Sequence, residues 1–184
     1  KKIKSISETA QNNIRLGFIY TLTSQFIPDL IHGFRSNFSG EPLEFNLQEG
    51  TTRSECTGNL LDYLREEKLD VVFISLLPKK DAQFEFIPLC EQKLVVIMAD
   101  DSAFASRKSV DLAELASYPF IHYAGKEGLK QEINRLFAKV NIVPHICCEV
   151  EDEQSMASLV AAHIGIAIVP DNTIFHNNKL KVLA

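Results

Sequence analysis

The chain has 184 residues, 46% of them hydrophobic, and a net charge of −5 from 24 acidic and 19 basic residues. That length allows one α/β domain or two small lobes, each with a real core. An acidic balance without a basic stripe argues against a nucleic-acid-binding surface in this segment, and no apolar run approaches the roughly 20 residues that span a bilayer.

The opening run KKIKSISETAQNN is basic at first but lacks the apolar core of a signal peptide. Ile14–Tyr20 then reads as a strand, followed by the hydroxyl residues Thr21, Thr23 and Ser24 at an expected helix start. The helix carries Phe26, Ile27, Leu30, Ile31, Phe34 and Phe38 on one face. Leu43–Gln48 alternates as a second strand and Glu49-Gly50-Thr51-Thr52 breaks it. Leu60, Leu61 and Leu64 mark a second helix ahead of the buried strand Leu69–Ile74. Twice, then, a strand delivers the chain to small hydroxyl residues. Helix starts offer unpaired N–H groups and a positive dipole end, which suit a small polar or anionic ligand.

Leu76–Glu85 is a polar loop, and Pro88 limits Phe86–Leu89 to a short extended piece. Leu94–Met98 is fully apolar, typical of a parallel sheet buried on both faces. Asp100–Val110 reads as loop, Asp111–Ala116 as a short helix, and Phe120–Tyr123 as a strand ending at Ala124-Gly125. Gly128–Val140 is helical, with Leu129, Ile133, Leu136, Phe137 and Val140 on its buried side. A strand over 145–150, a helix from about Glu153 to His163 and a strand at Gly165–Val169 complete the alternation. The fold class is α/β, with mostly parallel sheets flanked by helices.

Cysteines stand at 56, 90, 147 and 148 without a CxxC motif. Strand alternation sends Cys147 and Cys148 to opposite faces, which argues against a shared metal site, and Cys90 reads as a small core residue. The five histidines have no metal spacing. No metal or cofactor is expected, and reduced thiols point to the cytoplasm.

Taken in order, several segments resemble the effector-binding domain of LysR-type transcriptional regulators, whose two lobes share the type 2 periplasmic-binding-protein fold. They are Phe26-Ile27-Pro28-Asp29-Leu30, Glu49-Gly50-Thr51-Thr52, Leu69-Asp70-Val71, Ile87-Pro88-Leu89 and Tyr118-Pro119-Phe120-Ile121, then Leu159-Val160-Ala161-Ala162 with Gly165-Ile166-Ala167-Ile168-Val169-Pro170. The resemblance implies a linker remnant at 1–13, lobe one at 14–91 and lobe two at 92–178. Residues 179–184 would begin a return crossing into lobe one, and the ligand would sit in a cleft between the lobes. Two departures concern the ends: the family's N-terminal DNA-binding domain is absent, and about one strand and one helix are missing after residue 184. The third is His163, which stands where the family usually has Gly.

The candidate ligand-binding residues are Thr21, Leu22, Thr23 and Ser24 after the first strand, Thr51, Thr52 and Arg53 after the second, and Ser75 after the third. Tyr123, Ala124 and Gly125 join them from lobe two. Arg53 can hold a carboxylate through two parallel hydrogen bonds, although a lone Arg in a polar loop is more often a solvated charge. One of the three hydroxyls can equally be a helix cap, Tyr123 a core residue, and a carboxylate among Glu149–Asp152 a complement to a helix dipole.

The favoured function is sensing: a small-molecule effector, a carboxylate, amino acid or similar anion, acts on a DNA-binding domain outside this chain. A solute-binding receptor of a transport system is the alternative. An enzyme is disfavoured, because neither GxSxG nor a Cys/His pair can be placed. The resemblance also implies a homodimer through helices 24–38 and 128–140. The wide apolar face of the first helix agrees, with Ile31 among its outward positions.

Overall fold

The computed structural model describes residues 13–38, 40, 43–50, 56–75, 81–125, 128–177 and 179–184. The chain separates into two units, Lys1–Phe86 and Ile87–Ala184. The division falls after Phe86, earlier than the 91/92 boundary expected from the sequence. No helix among the described residues is long and apolar enough to cross a membrane.

In the first unit, β1 (Asn13–Phe18), β2 (Glu44–Glu49) and β3 (Val71–Phe73) form a parallel sheet in the order β2-β1-β3. The crossovers carry α1 (Phe26–Asn37) and α2 (Cys56–Arg65). Leu60 and Leu69 form the nucleus of the core, with Ile19, Leu64, Val72 and Ile74 packed against them. Gly17 of β1 makes this approach possible, since a Cβ there would lie 2.5 Å from Leu69 Cδ1 and 2.9 Å from Leu60 Cδ2. A clamp locks β1 to the chain entering β3. The Arg15 guanidinium donates to both carboxylate oxygens of Asp70, at 3.1 and 2.6 Å, and to the Glu67 carbonyl at 2.6 Å. This partner holds the Asp70 carboxyl below its usual range.

The sequence expected α1 to follow the hydroxyl turn at once. The hydroxyl stretch itself opens with a 3-10 turn at Tyr20–Leu22, and α1 starts at Phe26, two residues after Ser24, with Gln25 at the N-cap position making no side-chain cap bond. Ile27 faces the core at 2% exposure, whereas Leu30, Phe34 and Phe38 remain 36, 37 and 48% exposed. The Phe34 ring stacks on Phe38 and meets the edge of Phe45, so these side chains form one apolar patch. Ile31 is half-buried, not outward.

In the second unit, β4 (Leu94–Ala99) lies between β7 (Ala167–Pro170) and β8 (Leu180–Leu183). Both pairings are antiparallel, where the apolar run of β4 had suggested parallel neighbours. Burial on both faces sets the composition of a central strand, and an antiparallel strand covered on both faces reads the same as a parallel one. Residues 180–183, expected to begin a return crossing, are thus the β8 edge of this sheet. β5 (Pro119–Tyr123) and β6 (His145–Val150) pair in parallel, and a bridge from Phe120 to Ile166 links β5 to the start of β7. Gly165 permits that approach, as a Cβ there would lie 2.5 Å from the Pro119 carbonyl oxygen. α3 (Leu129–Lys139) and α4 (Glu153–Ala161) contribute Ile133, Phe137, Met156 and Val160 to a core that also holds Ile97, Phe120, Ile121 and Phe175. Cys90, expected in a core, is exposed, because the stretch after Pro88 joins no strand.

Three helices end in the same way without glycine. Glu67, Asn141 and His163 each take a left-handed φ, of 56, 56 and 60°. The N–H of each bonds three residues back, to Leu64, Ala138 and Val160, and the next N–H bonds five back, to Tyr63, Phe137 and Leu159. This is the Schellman arrangement, which Gly usually completes. α4 therefore ends conventionally despite His163.

Candidate ligand-binding site

Parallel strands place their following turns on one edge of a sheet, and the first unit shows this in its register. Phe18 lies opposite Glu49 on one side and Phe73 on the other. Gly50 N–H donates to the Phe18 carbonyl at 3.0 Å and Ile19 N–H to the Phe73 carbonyl at 3.1 Å. The turns bearing Thr21–Ser24, Gly50 and Ser75 therefore share the carboxyl edge, where α/β sheets commonly bind ligands. Thr51, Thr52 and Arg53 lie outside the described residues. Thr23, Ser24 and Ser75 are exposed, and Thr21 and Leu22 half-buried. The Thr21 Oγ1 itself is buried and has no hydrogen-bond partner among the described residues. Native proteins seldom leave a buried hydroxyl unpaired, which makes this atom a candidate to meet an incoming polar group; Asn13 Oδ1 and Ser102 Oγ share its status.

The second unit brings a denser polar set to the corresponding ends of β5 and β6. Ala124 N–H donates to the Val150 carbonyl at 2.7 Å, aligning the two strand ends. Tyr123 is buried, and its hydroxyl donates to Glu153 Oε1 at 2.8 Å, a carboxylate only 6% exposed in the first turn of α4. Beside it, His122 is fully buried. Its Nδ1 accepts the Tyr123 N–H at 2.9 Å, which leaves Nε2–H to donate to Asn134 Oδ1 at 3.0 Å. Burial pushes the His122 pKa down, so the ring is held neutral. Lys130 reaches Glu149 at 2.6 Å and keeps that carboxyl below its usual range. Ala124 is half-buried, and Gly125 is exposed with φ 91°.

Asp152 is the N-cap of α4, accepting the Ser155 N–H at 2.8 Å, which puts its carboxylate at the helix start, as the dipole reading of this acidic stretch expected. Tyr123 is both a core residue and the holder of a polar group. Sequence reasoning missed Glu153 as its partner and Lys130 as the partner of Glu149. The available signal was weak: a Glu immediately after a capping Asp lies in a first turn, but nothing local says which strand end it faces.

Two α/β units whose strand ends gather hydroxyl, amide and carboxylate groups are the architecture of a ligand-binding protein. Known proteins sharpen this. The chain matches the LysR substrate binding domain family over residues 7–184, and it belongs to that family, as an effector-binding domain of LysR-type transcription regulators. An uncharacterized HTH-type transcriptional regulator of Bacillus subtilis, YybE, is 31% identical over 93% of this chain and 56% of its own length. The malonate utilization transcriptional regulator of Klebsiella pneumoniae is 25% identical over 91% of this chain and 53% of its own length. The chain thus spans about half of these curated relatives. Among solved structures, the effector binding domain of QuiR in complex with shikimate aligns at TM-score 0.80 and 34% identity, covering 94% of this chain and 79% of that one. The BenM effector binding domain with its effector benzoate shares the fold at TM-score 0.81 and 24% identity, covering 94% and 77%. The relatives are transcriptional regulators, which favours a sensor over the transport receptor.

Proposed function

We propose that the chain is the sensing part of a cytoplasmic DNA-binding regulator and that its effector is a small hydroxylated carboxylate. The observation that carries this is the buried, unpartnered hydroxyl of Thr21 on the carboxyl edge of the first sheet. QuiR, 34% identical, was solved with shikimate, a ligand of that chemistry. In this reading Thr21, Leu22, Thr23, Ser24, Thr51, Thr52 and Ser75 supply hydrogen bonds from the first unit, and Arg53 meets the carboxylate. Tyr123, Ala124 and Gly125 contribute from the second. Glu153 suits the hydroxyl groups of such a ligand, because a carboxylate only accepts hydrogen bonds. Binding shifts the population between conformations, and no bond is made or broken.

Calorimetry with shikimate and with related hydroxylated and plain carboxylates tests the reading. Replacing Thr21 by Val should weaken a bound effector by about 0.5–1.5 kcal/mol, and Arg53 by Ala by about 1.5–3 kcal/mol. Affinity indifferent to both changes would remove the first unit from the site. Binding of none of these acids would reject the effector class.

We further propose a homodimer in which the α1 patch of Leu30, Phe34 and Phe38 meets the α3 region of a second copy, where Val140 is exposed and Val143 almost entirely so. The half-buried Ile31 is a poor probe, because a charge there would disturb the fold. Phe34→Glu should yield monomers in sedimentation with an unchanged circular dichroism spectrum. A wild-type chain that stays monomeric at high concentration would reject the interface.

A further inference from the structure

Cys147 and Cys148 do not part to opposite faces. Phe120 pairs with Ile146 and the next residue, Ile121, pairs with Cys148, so Cys147 is the extra residue of a β-bulge in β6. A bulge breaks the alternation of side chains, and here it brings the two sulfur atoms to 4.0 Å. We propose that this pair is a two-thiolate binding site for a soft, low-coordinate cation such as Cu(I).

The geometry supports chelation over oxidation. Adjacent Cα atoms stand about 3.8 Å apart, below the roughly 4.4–6.8 Å spanned by ordinary disulfides. A cation about 2.3 Å from each sulfur, the usual zinc–thiolate length, would subtend roughly 120° at the observed 4.0 Å separation. The sulfurs therefore need little movement to share an ion. Gly165 faces Cys147, where a Cβ would lie 3.2 Å from Sγ, and the carbonyls of Phe120 and Ile164 lie 3.5 and 3.7 Å from that sulfur as alternative acceptors of its one S–H. Cys147 is exposed, which gives access, and Cys148 is half-buried against the core, which gives a fixed base.

The donor set selects the ion class. Among the described residues no group of three or more His, Cys, Asp or Glu side chains gathers to hold a metal, so tetrahedral Zn(II) would be left short of ligands. Soft thiolates favour Cu(I). Binding replaces two S–H bonds by two S–Cu bonds and releases two protons, with no change in oxidation state.

The test is anaerobic titration of the reduced 184-residue chain with Cu(I) against a colorimetric chelator, and with Ag(I) as a redox-inert substitute. The wild type and a Cys56→Ser, Cys90→Ser double variant should hold one equivalent, and Cys147→Ser or Cys148→Ser should lose it. The bound ion should raise the melting temperature of the double variant, since a ligand of the folded state stabilises it. Retention of the equivalent in Cys147→Ser would overturn the proposal, as would equal competition by Zn(II). A lowered melting temperature would do the same, because it would place the binding on unfolded thiols.

Discussion

The two units use the same alternation of strand and helix to different ends. Among the described residues, the second unit buries the interior faces of β4, β5, α3 and α4 around Phe120, Ile133 and Phe137. The first gathers a small nucleus at Leu60 and Leu69 and leaves Leu30, Phe34, Phe38, Leu47 and Val71 exposed. Polar groups follow the opposite trend. At its strand ends the second unit pairs Tyr123 with Glu153 and His122 with Asn134, while the first leaves the Thr21 hydroxyl without a partner among the described residues. One unit carries the larger packed core and a paired polar cluster at its strand ends, and the other carries the apolar patch on α1; each also leaves large apolar side chains exposed, Val140 and Val143 among them in the second.

The largest expected effect tests whether that difference in packing is energetic. Phe137 is 2% exposed and meets Phe120 edge-on at a ring separation of 5.1 Å. Phe137→Ala should cost about 3–5 kcal/mol, and Leu60→Ala about 2–3 kcal/mol, because a thinner cluster collapses more readily around the lost volume. Hydrogen exchange read separately on β4 and β1 amides distinguishes the units. Equal losses would mean that the first core is as tightly built as the second.

A second substitution probes how closely α2 rests on β1. Gly17→Ala places a methyl group 2.5 Å from Leu69 Cδ1 and should destabilise the first unit by about 1–3 kcal/mol. Protection of β4 amides in the second unit should not change.

A pH effect belongs to the second unit. Burial holds the folded-state pKa of His122 below its unfolded value of about 6.5, so between those values the unfolded chain binds more protons. Stability is therefore full above about pH 6.5 and falls as pH drops below it, by at most about 1.4 kcal/mol per pH unit for one proton. Lys130 opposes protonation of the ring and Glu149 favours it. Denaturant midpoints measured from pH 7.5 to 5 should slope for the wild type and flatten for His122→Gln. An unchanged slope in the variant would assign the protons elsewhere.

The helices were legible in the sequence because apolar spacing at 3.6 residues reports which face is buried, and the parallel first sheet because a helix separates each of its strands from the next. What was not legible depends on residues far apart or on details smaller than a period. The direction of β4 relative to β7 and β8 is absent from its own composition. The 3-10 turn at Tyr20–Leu22 opens the hydroxyl stretch ahead of α1. The bulge at Cys147 broke an alternation that the residue types themselves did not contradict. Among the site residues, sequence order was enough to find the strand-end turns. The Tyr123–Glu153 bond joins residues 30 apart and needed coordinates.

The smallest effects come from a feature that both units share. Glu67 closes α2 in the first unit, and Asn141 and His163 close α3 and α4 in the second, all with left-handed backbone. A side chain in that region costs roughly 1–2 kcal/mol, less for Asn, whose short amide tolerates it. Glycine removes the cost but adds about 0.4–1 kcal/mol of unfolded-chain entropy that folding must overcome. The net gain should be about 0.5–1 kcal/mol for Glu67→Gly and His163→Gly, and near zero for Asn141→Gly. His163 carries one further contact, an exposed approach of Nδ1 to Asp101 at 3.7 Å, which as a surface pair contributes little. The Arg15 bond at Glu67 goes to its main-chain carbonyl and survives the change. Denaturant midpoints for the three variants should rank His163→Gly and Glu67→Gly above Asn141→Gly. A loss of stability in His163→Gly would show that the imidazole holds α4 in place through contacts of its own, and that this cap is more than a tolerated strain.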